Sequence, residues 1–469
     1  MDQSVLDNIQ TEREAIRTED ERLGAASFTA KRQMDNGAAY YRLASTCYEH
    51  RAEDRAAYLS LAVSLSQEAV IAYSTAQDLG ATSVLPDKGK ANYLAALCQW
   101  ERRHLSAALT LANAALADFT AIKPKEPNEH ARLAETQYLI AEILYLEEEY
   151  DLAEAAVRKA IKAYGEAAAD AADYTLPTAD CYHTYARICL RIENYEKATR
   201  FCNEAIKRYT EAKKGHRNKD IVLRLLQAEV TSAEITSFTH SVRAFVTLKT
   251  REIITETFKL SDEKRRDQAS RVRGKAQYVC AVNDFRREYR GGMSQSVGEA
   301  LSTSQALSAA HPDDPVYRED YAQTLVLQAA VKRKEGCYDA AVKALQCAVH
   351  HLLKAQNGDE EAYYPDLAAA YFDLGLIYVH LHDYADARDA LLSAVDRSRK
   401  DRSCASAKIA DKRLAWEYYH LGELYLTIRR KETALAYYRA AFASLADYGA
   451  PIEGLTQNVN RRIRQIRTE

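Results

Sequence analysis

Two stretches near the C-terminal end decide the fold: Tyr371-Phe372-Asp373-Leu374-Gly375-Leu376-Ile377-Tyr378 and Tyr418-Tyr419-His420-Leu421-Gly422-Glu423-Leu424-Tyr425. Measured from the glycine, each places an aromatic residue at −4, leucine at −1, tyrosine at +3, and alanine at +12 and +19. A small residue on one helix lets a second helix approach closely, and the two alanines supply the matching small residues on that second helix. The two stretches therefore predict a repeated pair of packed helices.

Weaker copies of this pattern lie upstream. Anchored on the small residue, the copies are centred at Ala44, Ala96, Ala141, Ala186, Ala329, Gly375 and Gly422. Neighbouring anchors are 45 to 52 residues apart, except for one interval of 143 residues after Ala186. Because that interval is close to three periods, we expect two degenerate helix pairs inside it.

The pattern resembles the tetratricopeptide repeat, which reads aromatic, Leu-Gly, Tyr, then Ala, large apolar, Ala. The usual repeat has about 34 residues, so a period near 45 adds one or two turns to each helix. Long-helix variants of this kind resemble the repeats of kinesin light chains and of bacterial peptide-pheromone receptors. The resemblance implies an all-α, right-handed superhelical solenoid of about eight to nine antiparallel helix pairs, with a C-terminal capping helix.

We expect five segments along the chain. Residues 1–37 form an N-terminal helix or cap, and residues 38–213 form an N-terminal repeat array. Residues 214–315 hold the degenerate repeats and a basic patch, residues 316–450 a C-terminal repeat array, and residues 451–469 the capping helix.

Composition and charge argue against several classes of protein. Glycine and proline together make up about 5% of the 469 residues, too few for the frequent turns of β-rich folds. The net charge of −3 gives no field that attracts nucleic acid or anionic lipid. No uncharged apolar run is long enough to cross a membrane, and the N-terminus lacks a signal-peptide pattern. The sequence predicts a cytoplasmic protein with a protein or peptide partner, no membrane and no nucleic acid, and leaves its oligomeric state open.

Catalytic and cofactor signatures are missing from the sequence. It has no GxxxxGK[ST] phosphate loop, no HExxH zinc motif and no GxSxG nucleophile elbow. None of the nine cysteines is spaced as CxxC, so a zinc site or a disulfide framework is not expected. We therefore predict no cofactor, no metal and no enzymatic activity.

An aromatic register is the most informative feature for function. The residues three positions before the anchors are Tyr41, Tyr93, Tyr138, His183, Val326, Phe372 and Tyr419. Four positions after the first three anchors stand Tyr48, Trp100 and Tyr145. Because the two positions are seven residues apart, they share one helix face.

The resemblance to tetratricopeptide proteins implies that position −3 faces the concave side of the array. The candidate peptide-binding residues are Tyr41, Tyr48, Tyr93, Trp100, Tyr138, Glu142, Tyr145, His183 and Arg187, of which Glu142 and Arg187 stand at +1. Two hypotheses remain open. The rings either line a groove for a peptide or are buried as core against neighbouring helices.

A second open question concerns the basic segment 264–290. Its cations are Lys264, Arg265, Arg266, Arg271, Arg273, Lys275, Arg286, Arg287 and Arg290. They form either a patch for an acidic partner or nucleic acid, or the solvated face of a charged helix.

The sequence favours a non-enzymatic scaffold or adaptor that binds a peptide or protein segment in a concave groove. The alternative is a peptide-sensing regulator similar to the bacterial pheromone receptors. The repeats begin by about residue 38, which leaves no room for an N-terminal helix-turn-helix domain.

Overall fold

The computed structural model describes residues 3–24, 29–51, 55–123, 126–168, 173–215, 218–239, 243–260, 265–289, 292–355, 363–404 and 407–468. Within these ranges the chain forms 20 α-helices and no strand, which confirms the predicted all-α class. The helices are α1 (Gln3–Leu23), α2 (Ala30–His50), α3 (Arg55–Asp78), α4 (Leu85–Glu101), α5 (Leu105–Ala121), α6 (Pro127–Leu146), α7 (Tyr150–Ala167), α8 (Thr175–Arg191), α9 (Tyr195–Gly215), α10 (Lys219–Thr239), α11 (Arg243–Lys259), α12 (Arg266–Arg286), α13 (Met293–Ala310), α14 (Pro315–Lys334), α15 (Tyr338–Ala355), α16 (Tyr364–His380), α17 (Tyr384–Cys404), α18 (Ala407–Thr427), α19 (Lys431–Tyr448) and α20 (Leu455–Thr468).

Helices α2 to α19 pack as nine consecutive pairs, and each pair also contacts the next one along the chain within its compact unit. The pairs α10/α11 and α12/α13 occupy the long interval between the anchors Ala186 and Ala329. The prediction of eight to nine helix pairs, two of them degenerate, is confirmed for the described residues.

The chain divides into two compact units. Unit 1 is Met1–Asn218 and contains α1 to α9, and unit 2 is Lys219–Glu469 and contains α10 to α20. In each unit the core lies between the helices of a pair and between neighbouring pairs. The described helices include none that is both long enough and apolar enough to cross a membrane.

The anchor residues lie where paired helices touch. Gly375 and Gly422 are buried. A Cβ atom on Gly375 would lie 2.6 Å from Leu391 Cγ of α17, and one on Gly422 would lie 2.7 Å from Tyr438 Cε1 of α19. Real Cβ atoms do not approach this closely, so each glycine is required by the space that its partner helix fills. The close approach inferred from the repeat is confirmed.

Unit 1 contains a second set of close approaches that the repeat pattern did not reveal. Gly37 and Gly89 stand seven residues before the anchors of α2 and α4. A Cβ on Gly37 would lie 2.6 Å from the Tyr73 ring, and one on Gly89 would lie 2.7 Å from the Phe119 ring. Each ring of the second helix thus occupies the space left by a missing side chain two turns upstream of the anchor.

Helix α20 caps the last pair, as predicted. Leu455 and Val459 are fully buried in the core formed with α18 and α19. Arg462 donates hydrogen bonds to both carboxylate oxygens of Glu423, at 2.7 and 2.6 Å. The capping helix therefore covers the apolar flank of the final repeat and neutralises a carboxylate on α18.

Replacement of Gly375 tests the anchor contact. We expect Gly375→Ala to lower the free energy of unfolding by about 1–3 kcal/mol, because the added methyl group overlaps Leu391. The control is Gly298→Ala in α13, where no atom lies within 4 Å of the added Cβ. This control gains helix propensity and is predicted to be neutral or stabilising by up to about 1 kcal/mol. Urea midpoints measure both variants, and equal losses in the two would contradict the account.

A buried carboxylate lies between α17 and α18. Glu417 is 2% exposed and accepts a hydrogen bond from the Ser398 hydroxyl at 2.7 Å. Its other oxygen, Oε2, has no hydrogen-bond partner among the described residues. Burial raises the pKa of Glu417 to about 7; the charge of Asp401 adds to this, and Arg413 opposes it. The folded state therefore holds a proton that the unfolded chain releases near pH 4.5.

This carboxylate predicts a pH dependence of stability. Because the pKa of Glu417 is higher in the folded state, its proton stabilises the fold below about pH 4.5, and that stabilisation is lost as the pH rises to about 7. We expect the free energy of unfolding of Glu417→Gln, relative to that of the wild type, to rise by at most about 3 kcal/mol as the pH increases from 4.5 to 7. Above pH 7 this difference is expected to stay constant. Urea unfolding at several pH values measures the difference. A difference that does not vary with pH would show that Glu417 is ionised in the fold.

Candidate peptide-binding face

The nine predicted site residues lie on the first helices of four consecutive pairs in unit 1. Helix α2 carries Tyr41 and Tyr48, α4 carries Tyr93 and Trp100, α6 carries Tyr138, Glu142 and Tyr145, and α8 carries His183 and Arg187. Each of these helices contacts the next one in this series, so the residues form one surface, which we call the ring face. All are partly exposed except Glu142, which is 7% exposed.

At the α2/α4 end of the ring face, Tyr48 is fixed by its neighbours. Its hydroxyl donates to Glu101 Oε1 at 2.7 Å. The Arg51 guanidinium lies 3.7 Å from the centre of the Tyr48 ring, and its Nε donates to Glu101 at 3.1 Å. Arg55 adds a second ion pair to Glu101 at 3.4 Å. Two cations and a hydroxyl therefore surround one carboxylate and fix the orientation of the ring.

The middle of the ring face holds rings that are less constrained. Burial raises the pKa of Tyr93, with smaller effects from Glu135 and Tyr41. The indole nitrogen of Trp100 is buried and has no hydrogen-bond partner within the described residues. Trp100 therefore presents its ring, and not its N–H, to the surface. Tyr41 and Tyr93 form no hydrogen bond through their hydroxyls to any described residue.

The α6/α8 end of the ring face is a connected polar network. Glu142 accepts hydrogen bonds from the Thr184 hydroxyl and from Arg187 Nη1, the latter at 2.9 and 3.1 Å to its two oxygens. The Arg187 guanidinium also lies 4.2 Å from the centre of the Tyr145 ring. The Tyr145 hydroxyl accepts from Arg191 Nε at 3.1 Å. Two side chains of α6 and three side chains of α8 thus join these helices.

The charges of this network are well defined. Burial opposes ionisation of Glu142, but the Arg187 guanidinium and the Thr184 hydroxyl together outweigh it and lower the pKa of the carboxyl. Burial, together with the charge of Arg187, lowers the pKa of His183 to about 3. Near neutral pH the network therefore holds one carboxylate and two guanidinium groups, with a neutral imidazole beside them.

The burial of the rings is intermediate between the values expected from the two hypotheses that the sequence left open. They contact neighbouring helices and are also partly exposed. Neither a purely buried core nor a freely exposed surface describes them. A face of this kind offers apolar area, with the rings at its two ends held in orientation by polar contacts, and hydroxyls at its edge.

Sequence reasoning missed the residues that hold the rings. Glu101 and Arg191 both stand five positions after their anchors, and Thr184 stands two positions before its anchor. A polar residue at any of these positions does not by itself indicate that its partner lies in the preceding or following repeat. Glu142 and Arg187 were predicted as site residues, and the 45 residues between them equal one period, so their complementary charges could also have predicted that they pair.

Unit 2 carries a comparable aromatic cluster on its own first helices. Phe372 of α16 lies 5.3 Å from the ring of His420 on α18, and Trp416 stacks on His420 at 6.1 Å. Arg333 of α14 pairs with Asp373 of α16 at 3.6 Å. The register at position −3 therefore continues in unit 2, with Val326, Phe372 and Tyr419 partly exposed.

Several cations of the predicted basic patch form ion pairs with carboxylates of unit 2. Arg271 and Lys275 of α12 both pair with Asp320 of α14, at 2.7 and 2.6 Å. Although burial opposes it, these two cations lower the pKa of Asp320. Arg265 pairs with Asp220 at 2.6 Å. Lys264 and Arg290 lie outside the described residues.

The Glu142–Arg187 pair can be tested by a double-mutant cycle. Removal of the guanidinium leaves a buried carboxylate, so we expect Arg187→Met to lower the free energy of unfolding by about 1–3 kcal/mol. Glu142→Gln in the same chain recovers part of this loss, because no buried charge then remains. The control cycle uses the exposed pair Lys162 and Glu166, 3.6 Å apart, where the coupling is at most about 0.5 kcal/mol. Equal couplings in the two cycles would contradict the network.

Comparison with known proteins supports the repeat assignment. The family model for the tetratricopeptide repeat matches residues 368–401 and 418–444, which contain the two stretches that define the pattern. No curated protein is significantly similar to the chain.

Several solved structures are similar to the chain at low sequence identity. The Rap conjugation gene regulator of the plasmid pLS20, in complex with the Phr* peptide, is 12% identical with a TM-score of 0.52, over 86% of this chain and 97% of that one. Aspartyl phosphate phosphatase F from Bacillus subtilis is 12% identical with a TM-score of 0.48, over 85% and 94%. Human IFIT1, as a dimer with PPP-AAAA, is 12% identical with a TM-score of 0.46, over 87% and 80%. The chain thus carries tetratricopeptide repeats, as its Leu-Gly stretches predicted.

Proposed function

We propose that this chain is a non-enzymatic, cytoplasmic scaffold that binds a peptide or protein segment along the ring face of unit 1. The observation that carries the proposal is the register of partly exposed rings on four adjacent helices, of which Tyr48 and Tyr145 are fixed by polar contacts between those helices. Tyr41 and Tyr48 also pack against the core of unit 1, so the face combines contacts that support the fold with ring surface that a ligand can reach.

The ring face suits an extended segment by its dimensions. Packed helices lie roughly 8–10 Å apart, so the four first helices cover roughly 25–30 Å. An extended chain covers about 3.3 Å per residue, which corresponds to roughly eight or nine residues of the ligand. Each helix then offers one or two rings to alternate side chains of the bound segment.

The energetics favour binding by rings that are already oriented. Tyrosine and tryptophan supply large contact areas with few rotatable bonds, so little conformational entropy is lost on binding. The polar contacts around Tyr48 and Tyr145 already restrict these two rings in the free protein, so less of their conformational entropy remains to be lost on binding. The hydroxyls of Tyr41 and Tyr93 remain available for the backbone of the ligand.

The charged residues of the ring face divide into two roles. Arg187 is partly exposed and can meet a carbonyl or carboxylate of the ligand. Glu142 is nearly buried and acts through Arg187, because both of its oxygens are already engaged. Neutral His183 contributes an uncharged polar surface beside them.

The test is capture of binding partners from native lysate by the full chain. We expect Tyr93→Ala, Trp100→Ala and Tyr138→Ala together to reduce the yield of specific partners at least tenfold. The control variant is Leu152→Ala, because Leu152 is 56% exposed on α7, a second helix outside the ring face. Quantitative mass spectrometry measures both yields.

Circular dichroism and thermal unfolding decide whether a loss of capture reflects the ring face. A triple variant that keeps its helicity and loses its partners supports the proposal. A triple variant that unfolds shows that these rings are core, and one that captures the same partners as the wild type places the binding surface elsewhere.

The alternative function is peptide sensing, in which the bound peptide changes the conformation of the chain. The fold shared with the peptide-bound Rap regulator of pLS20 favours this alternative. Small-angle X-ray scattering with a captured peptide separates the two functions. A change in the radius of gyration supports sensing, and an unchanged profile at saturating peptide supports a rigid scaffold.

A further inference from the structure

An unusual concentration of exposed apolar side chains lies at the beginning of unit 2. On α11, Phe245 is 56% exposed, Leu248 is 60% exposed and Phe258 is 63% exposed. The opposite side of the same helix carries Val246 and Ile253, each 1% exposed. Large apolar side chains on the surface of other described helices are mostly isolated, whereas α11 presents three along its 17 residues. Such an exposed patch marks an interaction site more often than an isolated exposed residue does.

Cations of α12 lie against the exposed rings of this region. The Arg273 guanidinium is 4.4 Å from the centre of the Phe258 ring, and the Arg286 guanidinium is 3.5 Å from the centre of the Phe238 ring at the end of α10. Arg251 adds an exposed cation on α11 itself. The apolar surface is therefore interrupted by guanidinium groups held in place by aromatic rings.

Two of these cations lack an anionic partner within the described residues. Arg273 donates a hydrogen bond to the Ser270 hydroxyl at 2.9 Å but forms no ion pair there, and Arg251 forms none either. Burial lowers the pKa of Arg273, and no carboxylate offsets it. By contrast, Arg271 and Lys275 on the same helix are both paired with Asp320. Arg251 and Arg273 are thus the cations here that a ligand carboxylate could neutralise.

We propose that Phe245, Leu248, Arg251, Phe258 and Arg273, the α11 surface, form a docking site for an acidic amphipathic segment of a partner protein. Apolar side chains of that segment bury Leu248 and the two phenylalanine rings. Its carboxylates pair with Arg251 and Arg273, whose planar guanidinium groups donate hydrogen bonds to both oxygens of a carboxylate at once. This site is separate from the ring face, since its residues belong to different helices of the other unit.

Charge opposes one other occupant. A second copy of the chain would bring the same cations together in a two-fold interface, which like charges oppose. The carboxylates of α11 do not cancel this positive charge, because Glu256 already pairs with Lys259 at 2.5 Å and Glu252 is a single charge beside Arg251 and Arg273. An anionic membrane is distinguished from an acidic segment by the vesicle measurement below.

The test uses a phage-displayed library of helical 16-residue peptides, selected on the immobilised full chain. A parallel selection uses the variant Phe245→Ala/Leu248→Ala/Arg273→Gln. These side chains lie at the surface, so circular dichroism is expected to match the wild type. The wild type is expected to enrich peptides with a net negative charge and apolar residues spaced three and four apart, and the variant is expected to lose them.

Binding of one enriched peptide is then measured by fluorescence anisotropy. We expect the triple variant to weaken its affinity at least tenfold, Leu152→Ala to leave it unchanged, and 0.5 M salt to weaken it in the wild type. Enrichment of basic peptides, no enrichment, or equal binding by wild type and variant would overturn the proposal. So would binding to vesicles of phosphatidylserine and phosphatidylcholine that depends on the same three residues, because lipid would then be the ligand.

Discussion

Close contact between paired helices at one small residue is the constraint on which the rest of the structure depends. Gly422 meets the Tyr438 ring and Gly375 meets Leu391, while the alanine anchors upstream are at most 2% exposed. Because the second helix must approach at this point, its side chains fill defined positions on either side. The anchors thereby set the orientation of each first helix, and with it the face on which positions −3 and +4 lie.

Helix orientation explains why the aromatic register and the polar contacts occur together. The first helices of neighbouring pairs lie side by side, so positions on their shared face meet across the repeat boundary. Glu142 meets Arg187 there, and Tyr48 meets Glu101. At the end of unit 2, Arg462 of α20 meets Glu423. Glu142 and Glu423 both stand at +1, so the capping helix supplies the arginine that a further repeat would supply.

Most of the fold could be predicted from the sequence because the small anchor residues recur at nearly regular intervals. The intervals between Ala44 and Gly422 predicted the helix pairs, including the two that lie between Ala186 and Ala329. Gly37 and Gly89 were not predicted as contact residues, because a glycine at this position occurs only in the first two repeats and does not recur along the chain. The candidate site was predicted less completely. The register located the rings, but Glu101 orients Tyr48 and Thr184 binds Glu142 through contacts between repeats, which a pattern within one repeat does not contain.

The central claim, that each anchor lies against its partner helix, is tested most directly by nuclear magnetic resonance on the full chain with labelled glycine and tyrosine. The account predicts strong nuclear Overhauser contacts between the Hα protons of Gly422 and the ring protons of Tyr438, together with an Hα chemical shift displaced by the ring current. Absence of these contacts, with an ordinary helical glycine shift, would contradict it.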